Sequence, residues 1–401
     1  MEILDQSKIK TNNKKRVIKL LSEERSLTKN KVAKILDISI PTVTTIVNEL
    51  MLEGICQEGG TATSTGGRKP VIIEFLPDSR YSIGVELRKK YIKVILTNLD
   101  SKIISYIKSD LNVIDGDIVI NSIQENIDKI LCESGIDKEK VLGMGISLPG
   151  TINEKDLKLE VAANFRLKNL EFKQLQEYFN IPVYLENEAN AGALGEFILG
   201  AARDLKNFIY ISVTEGIGGG LIIDKKIYKG KDHRAGEIGH MTINKHGRQC
   251  NCGKKGCWET YASTRALLNT FNDALSEINK DEIIEYKISL KEIINKYNDK
   301  DDIAIKIIHE YIEDLALGMQ NLMYIFNPDN IVIGGDISVY EESLLKRIKK
   351  KVYENNEFYS EEDVRIQFSK LKDDSNVVGA SILPINESFG FGKISSEINL
   401  N

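Results

Sequence analysis

Long apolar runs are missing from this sequence, and so is a cysteine framework. No stretch approaches the roughly 20 apolar residues that a membrane-crossing helix needs. The N-terminal residues MEILDQSKIKTNNKKR are polar and lack the apolar segment of a secretory signal. Five cysteines, an odd number with three clustered, do not read as a disulfide scaffold. These absences predict a cytoplasmic protein with no membrane partner. Excess positive charge is also missing. The net charge is −5, which by itself argues against a nucleic-acid binder.

The distribution of charge changes that reading. Residues 1–75 hold twelve Lys+Arg against nine Asp+Glu, a balance of +3 that leaves −8 for the remainder. Between Lys8 and Lys19 lie six basic residues and no acidic one. The pattern fits a basic module on an acidic body, although a solvated basic face would look the same. Length, 401 residues, allows two or three domains with substantial cores.

Residues 12–52 predict three helices. Val17, Ile18, Leu20 and Leu21 form an apolar stripe in the first. Thr28 is placed to cap the second, KNKVAKIL, with Val32, Ala33, Ile35 and Leu36 expected inward. After a short turn, Ser39 is placed to cap the third, with Pro41 in its first turn and Gly54 past its end. Val43, Ile46, Val47, Leu50 and Met51 face inward, leaving Thr42, Thr44, Thr45 and Asn48 outward. A short helix, a tight turn and a helix with a small polar face make a helix-turn-helix, whose second helix reads bases in the major groove. A three-helix packing unit without DNA is the competing reading. Two strands then flank a Gly/Thr/Ser-rich tip carrying Arg68 and Lys69, a wing suited to the DNA backbone or minor groove. The segment resembles the winged helix-turn-helix of bacterial repressors.

From Tyr81 the period changes to two. YSIGVEL, YIKVILTNL and KIISYIKSDL predict consecutive strands, followed by a helix near 117–134 and the strand VLGMGISLPG. A helix near 171–179, the strand IPVYLE and the helix EANAGALGEFILG complete a first half. A similar order restarts at NFIYISV and ends with the strand VRIQFSK and the helix SNVVGASIL. Two similar lobes with a ligand cleft between them follow. Residues 270–305 are expected to be a peripheral helical insertion, and 385–401 a loose polar tail.

The order of motifs is specific: SLPG, ENEANAGALGE, VTEGIGGG, GEIGHM, CNCGKKGCWE, then IVIGGD. On these the chain is similar to the ROK family (repressors, open reading frames and kinases), and most similar to its xylose-repressor type. The resemblance spans residues 12–384. It implies an α+β winged helix-turn-helix followed by an α/β actin-like ATPase (ribonuclease H-like) fold of two lobes. The expected division is 1–76 for the DNA-binding domain, 77–200 plus 376–390 for the first lobe and 201–375 for the second. It also implies a dimer or tetramer.

His240, Cys250, Cys252 and Cys257 supply one imidazole and three thiolates in His-x9-Cys-x-Cys-x4-Cys spacing. Such a set suits tetrahedral zinc and leaves no open position for water, so the expected cofactor is one structural zinc per chain. A redox dithiol or isolated buried thiols are the rival readings. A sugar, rich in hydroxyls and uncharged, needs rigid carboxylates, amides and an imidazole around it. Asn187, Glu188, Glu237, His240 and Glu259 offer such groups. In the resembled family these positions line the sugar cleft, joined by Gly150 and Asn164. Singly, each carboxylate is also explained by a surface ion pair or a helix cap.

Kinases of that family carry Asp-x-Gly-Gly-Thr between the first two strands. Here the place reads Glu86-Leu87-Arg88-Lys89-Lys90, and the aspartate of the catalytic Asn-Asp pair is Glu188. Small displacements are costly in group transfer. The sequence therefore predicts a sugar-controlled repressor that binds operator DNA and is not an enzyme; the alternative is a sugar kinase with a fused DNA module. The longer Glu188 carboxylate would fill the space of a hexose hydroxymethyl group, which favours a pentose such as xylose.

Overall fold

The computed structural model describes residues 6–61, 70–113, 115–203, 205–278 and 288–390. Three helices and three short strands open the chain. Helix α1 spans Gln6–Glu24, strand β1 Ser26–Thr28, α2 Lys29–Leu36 and α3 Ile40–Leu52. Strands β2 (Cys56–Thr61) and β3 (Val71–Phe75) follow, and the sheet order is β1-β3-β2. The Thr28 hydroxyl accepts the Lys31 N–H and Ser39 accepts the Thr42 N–H, so both caps form as the residue types require. Asp37 takes a left-handed conformation, φ 53°, and α2 and α3 bend by 118° across that turn. Val17, Ile18, Leu21, Val32, Val43, Val47 and Leu50 close the core. Ile35, expected inward, is 55% exposed; Val32 and Ala33 carry the buried face of α2.

The body repeats one topology twice. In the first lobe β4 (Tyr81–Leu87), β5 (Tyr91–Asn98) and β6 (Ile103–Asp110) form an antiparallel meander. After α4 (Gly116–Ser134), β7 (Val141–Leu148) joins β4 in parallel. A small antiparallel sheet of β8 (Thr151–Asn153), β9 (Lys158–Ala162) and β10 (Leu167–Glu171) comes next, which sequence pattern did not reveal. Helix α5 (Lys173–Phe179), β11 (Val183–Asn187) and α6 (Glu188–Ile198) complete the lobe, with sheet order β11-β7-β4-β5-β6.

The second lobe runs β12 (Phe208–Val213), β13 (Ile217–Ile223), β14 (Lys226–Ile227), α7 (Glu259–Ala262), α8 (Thr264–Ile278), α9 (Leu290–Asn298), α10 (Asp302–Phe326), β15 (Asn330–Gly335), α11 (Glu341–Tyr353) and β16 (Arg365–Phe368). Its order, β14-β13-β12-β15-β16, mirrors the first: a meander, then two parallel strands on its first strand. Strands this apolar on both faces need layers on each side. The segment expected to be peripheral supplies part of one, since Phe271, Ile293, Ile294 and Ala304 are buried against the second sheet's core.

Helix α12 (Ser375–Phe389) ties the molecule together. With α6 it fills the seam between the two sheets, where Val377, Val378 and Ile382 meet Ala193, Leu194, Phe208 and Val332. The helices touch backbone to backbone: a Cβ on Gly379 would overlap the Ala191 carbonyl. Residues 385–389, expected to be loose, are the last turn of α12. Ile385 and Phe389 are buried in the winged-helix core together with Leu99, because that small domain leaves an apolar edge uncovered. Lys15 Nζ also donates to the Glu387 carbonyl at 3.0 Å, and Arg25 pairs with Asp100 at 2.7 Å. Among the described residues no single helix is long and apolar enough to cross a membrane.

Candidate functional site

A cleft of about 300 Å³ opens between the lobes, small for a ligand pocket. The sugar-contact candidates Gly150, Asn164, Asn187, Glu188, Glu237, His240 and Glu259 all line it. Asn187 caps α6: its Oδ1 accepts the Ala189 N–H at 2.9 Å while its Nδ2 donates to the Gly150 carbonyl at 3.0 Å. Gly150 sits at φ +86°, where a side chain would strike the Val161 carbonyl. Glu188 then starts α6 with its carboxylate at the cleft. Burial pushes the Glu188 carboxyl up, and Arg88 opposes it. Asn164 is a cross-link: its Oδ1 accepts from Arg265 at 2.9 Å and from Asn251 at 3.1 Å.

His240, Cys250, Cys252 and Cys257 converge, with all four ligand atoms within 4.8 Å of one another. His240 Nδ1 lies 3.6 Å from Cys250 Sγ, and Cys252 Sγ lies 3.6 Å from Cys257 Sγ. A tetrahedral zinc sphere has ligand–ligand edges of about 3.5–3.8 Å, which these two pairs match. Burial pushes the Cys250 and Cys257 thiols up. Cys252 goes down: burial opposes this, but the Lys254 N–H and the neighbouring thiols outweigh it. Deprotonating all three thiols together therefore calls for a cation at this point. The opposite edge of His240 carries Nε2, 3.8 Å from Glu237, while Nδ1, on the cysteine side, also lies 3.7 Å from Glu259. Glu259, 5% exposed, also accepts from the Cys250 thiol at 3.0 Å.

The sequence reading missed several lining groups. Glu186, inside a quoted motif but not singled out, accepts from Asn190 at 3.0 Å and pairs with Lys229 at 2.6 Å. Lys229 also bonds Glu154 at 2.7 Å, which links the lobes; burial would lower its pKa, but Glu186 and Glu154 raise it. Asp336 accepts from Thr264 at 3.1 Å, and burial pushes its carboxyl up. Arg88 reaches the cleft from the β4–β5 turn. Seven carboxylates (Glu154, Glu186, Glu188, Glu215, Glu237, Glu259 and Asp336) face four cations (Arg88, Lys89, Lys90 and Lys229), an excess of three negative charges. No lone glycine or charge in the sequence signals the Lys229 and Asp336 pairings, because they join segments far apart in the chain.

The second candidate site is α3. Thr45 and Asn48 are exposed and Thr42 and Thr44 half-buried. Thr42 Oγ1 lies 2.8 Å from Ser39 Oγ, Thr45 Oγ1 donates to the Pro41 carbonyl at 3.1 Å, and Lys29 Nζ donates to Asn48 Oδ1 at 3.2 Å. Arg68 and Lys69 lie outside the described residues.

Comparisons with known proteins agree with this two-part layout. A family described as ROK family matches residues 82–387, and one described as winged helix-turn-helix DNA-binding matches residues 10–55. The xylose repressor of Caldicellulosiruptor bescii is 32% identical over 389 residues, covering 96% of this chain and 98% of that protein. A solved ROK family transcriptional regulator, described as a homologue of the E. coli MLC protein, superposes with a TM-score of 0.81 at 24% identity, covering 96% and 97% of the two chains. A ROK family glucokinase from Streptomyces griseus, in complex with glucose and AMPPNP, superposes with a TM-score of 0.67 at 26% identity, over 76% of this chain and 98% of that one.

Proposed function

The chain belongs to the ROK family, and from that premise we propose that it is a sugar-responsive repressor that binds operator DNA through α3 and the wing. The observation that carries the reading is continuity. The cleft residue Glu188 starts α6, α6 lies against α12, and α12 ends inside the winged-helix core. A sugar that favours one lobe arrangement can act on the DNA-binding domain through that pair of helices. It must bind the DNA-released arrangement better than the DNA-bound one.

The negative cleft favours a neutral polyol over a sugar phosphate or a nucleotide. Glu188, Glu237 and Glu259 accept hydroxyl protons, His240 Nε2 supplies a further polar contact, and Asn187, Gly150 and Asn164 shape the floor. Glu188 also occupies hexose space, which makes xylose the preferred ligand. His240, Cys250, Cys252 and Cys257 would hold one structural zinc, which fixes the loop leading to Glu259. We place the domain limits at 1–76, at 77–200 with 376–390, and at 201–375. The protein works in the cytoplasm as a homo-oligomer whose paired α3 helices, with Thr42, Thr44, Thr45 and Asn48, meet a pseudo-palindromic operator, with Arg68 and Lys69 on the wing. It does not phosphorylate its sugar, because Glu86-Leu87-Arg88 replaces a phosphate-binding loop.

The test is a panel of xylose, glucose and N-acetylglucosamine, scored for calorimetric binding and for release of the protein from the DNA upstream of its own gene. Xylose alone should do both. Tighter hexose binding overturns the pentose preference, and ATP-dependent phosphorylation lost in Glu188→Ala overturns the repressor-only reading.

A further inference from the structure

The turn between β4 and β5 sends one side chain, Arg88, back into the cleft. The Arg88 N–H donates to the Tyr91 carbonyl at 2.9 Å, a tight turn with no open loop left to wrap an anion. The Arg88 side chain runs back into the cleft and is nearly buried, at 8% exposure. Its Nε donates to Glu86 Oε1 at 2.6 Å, and its Nη1 lies 3.9 Å from Glu188 Oε2. Glu86 is itself 1% exposed, so it grips one edge of the guanidinium and leaves the other aimed at Glu188.

The groups around Glu188 come from three directions. Arg88 and Glu86 approach from the hairpin, Asp336 from the end of β15, and Glu237 from the segment before His240. Arg88 is the cation paired with Glu188, while the other oxygen of Glu86 lies 3.6 Å from the buried Lys93 Nζ. Take the guanidinium away and Glu188 is a half-buried carboxyl beside like charges, a setting that favours the protonated form. A protonated carboxyl loses part of its capacity to accept from sugar hydroxyls.

We propose that Arg88 is the positioning residue for Glu188: a resident guanidinium, anchored on one edge by Glu86, keeps this carboxylate paired and aimed at the sugar. The proposal rests on the reading of Glu188 as a sugar contact. Lysine cannot substitute fully, since an ammonium is a single point charge and cannot hold Glu86 on one edge and present the other to Glu188.

The first test needs no ligand. Infrared spectra of Arg88→Ala at neutral pH should show a protonated-carboxyl stretch that is absent from the wild type and lost again in Arg88→Ala/Glu188→Gln. The second is calorimetric titration with xylose across pH. The wild type should bind with an affinity that is flat between about pH 6 and about pH 8, whereas Arg88→Ala should weaken toward acid by up to about tenfold per pH unit and release a proton on binding. Arg88→Lys should fall between the two. An Arg88→Ala protein with no new carboxyl band, or with a loss of affinity that is equal at every pH, would show Arg88 to be only a structural partner of Glu86 and overturn the proposal. If the wild type binds no sugar, the sensor reading fails on its own, and the infrared comparison still decides whether Arg88 keeps Glu188 ionised.

Discussion

Replacing Phe389 with alanine should cut the link between sugar and DNA while leaving both sites intact. Phe389 is 7% exposed and Ile385 2% exposed, and both belong to the winged-helix core although they sit on the last turn of a body helix. A Phe→Ala change in a sealed core costs about 3–5 kcal/mol. Here the cavity opens onto a domain seam, so the lower end applies, about 3 kcal/mol, or roughly 150-fold in the balance between docked and detached domain. Ile385 and Leu99 remain in the seam, and the polar contacts across it add little. Arg25 and Asp100 form a partly exposed pair, worth at most about 1 kcal/mol. Calorimetry should therefore show sugar binding unchanged, and a fluorescence-anisotropy assay should show operator binding that sugar no longer reverses. A scanning melt should resolve an earlier transition for the small domain. Wild-type sugar sensitivity in the DNA assay would refute the argument that α12 carries the signal.

Three other outcomes follow from the geometry. Chelation or Cys252→Ser should remove one metal per chain, shift the emission of Trp258, which is the only tryptophan and is fully buried beside Cys257, and abolish the sugar response; unchanged emission and sugar affinity after complete metal removal would mean that the clasp does not organise the site. Thr44→Ala or Asn48→Ala should weaken operator binding by about 1–3 kcal/mol with relaxed sequence preference, and Arg68→Ala should weaken all DNA alike, as competition with mixed-sequence DNA would reveal. Burial pushes the Asp314 carboxyl up to about 6, with Arg248 opposing, so the folded state prefers the protonated form. That preference is intact below the unfolded value of about 4 and is lost as pH rises through the folded one. Asp314→Asn should then be more stable than wild type at about pH 8 and indistinguishable from it at about pH 4 in chemical denaturation.

The parts of this protein that were legible in the sequence are local. Thr28 and Ser39 cap helices because cap geometry depends on three or four consecutive residues. His240 and the three cysteines meet because a short turning segment separates them. The alternation of YSIGVEL and YIKVILTN sets strands whatever surrounds them. Short mixed-polarity strands such as Thr151–Asn153 escaped, since three residues define no period. Ile35 was misplaced because periodicity gives a face but not what covers it.

The order of motifs along the chain determined the family, the two-lobed plan and the candidates that line the cleft. Tertiary structure alone decided that Arg88 meets Glu188, that Lys229 bridges Glu154 and Glu186, and that a polar-looking tail begins with two residues of another domain's core. The reason is physical. Caps, turns and periodicity are fixed by neighbours in sequence, whereas the partner of a buried charge or an uncovered apolar edge is chosen by whichever distant segment packing brings against it.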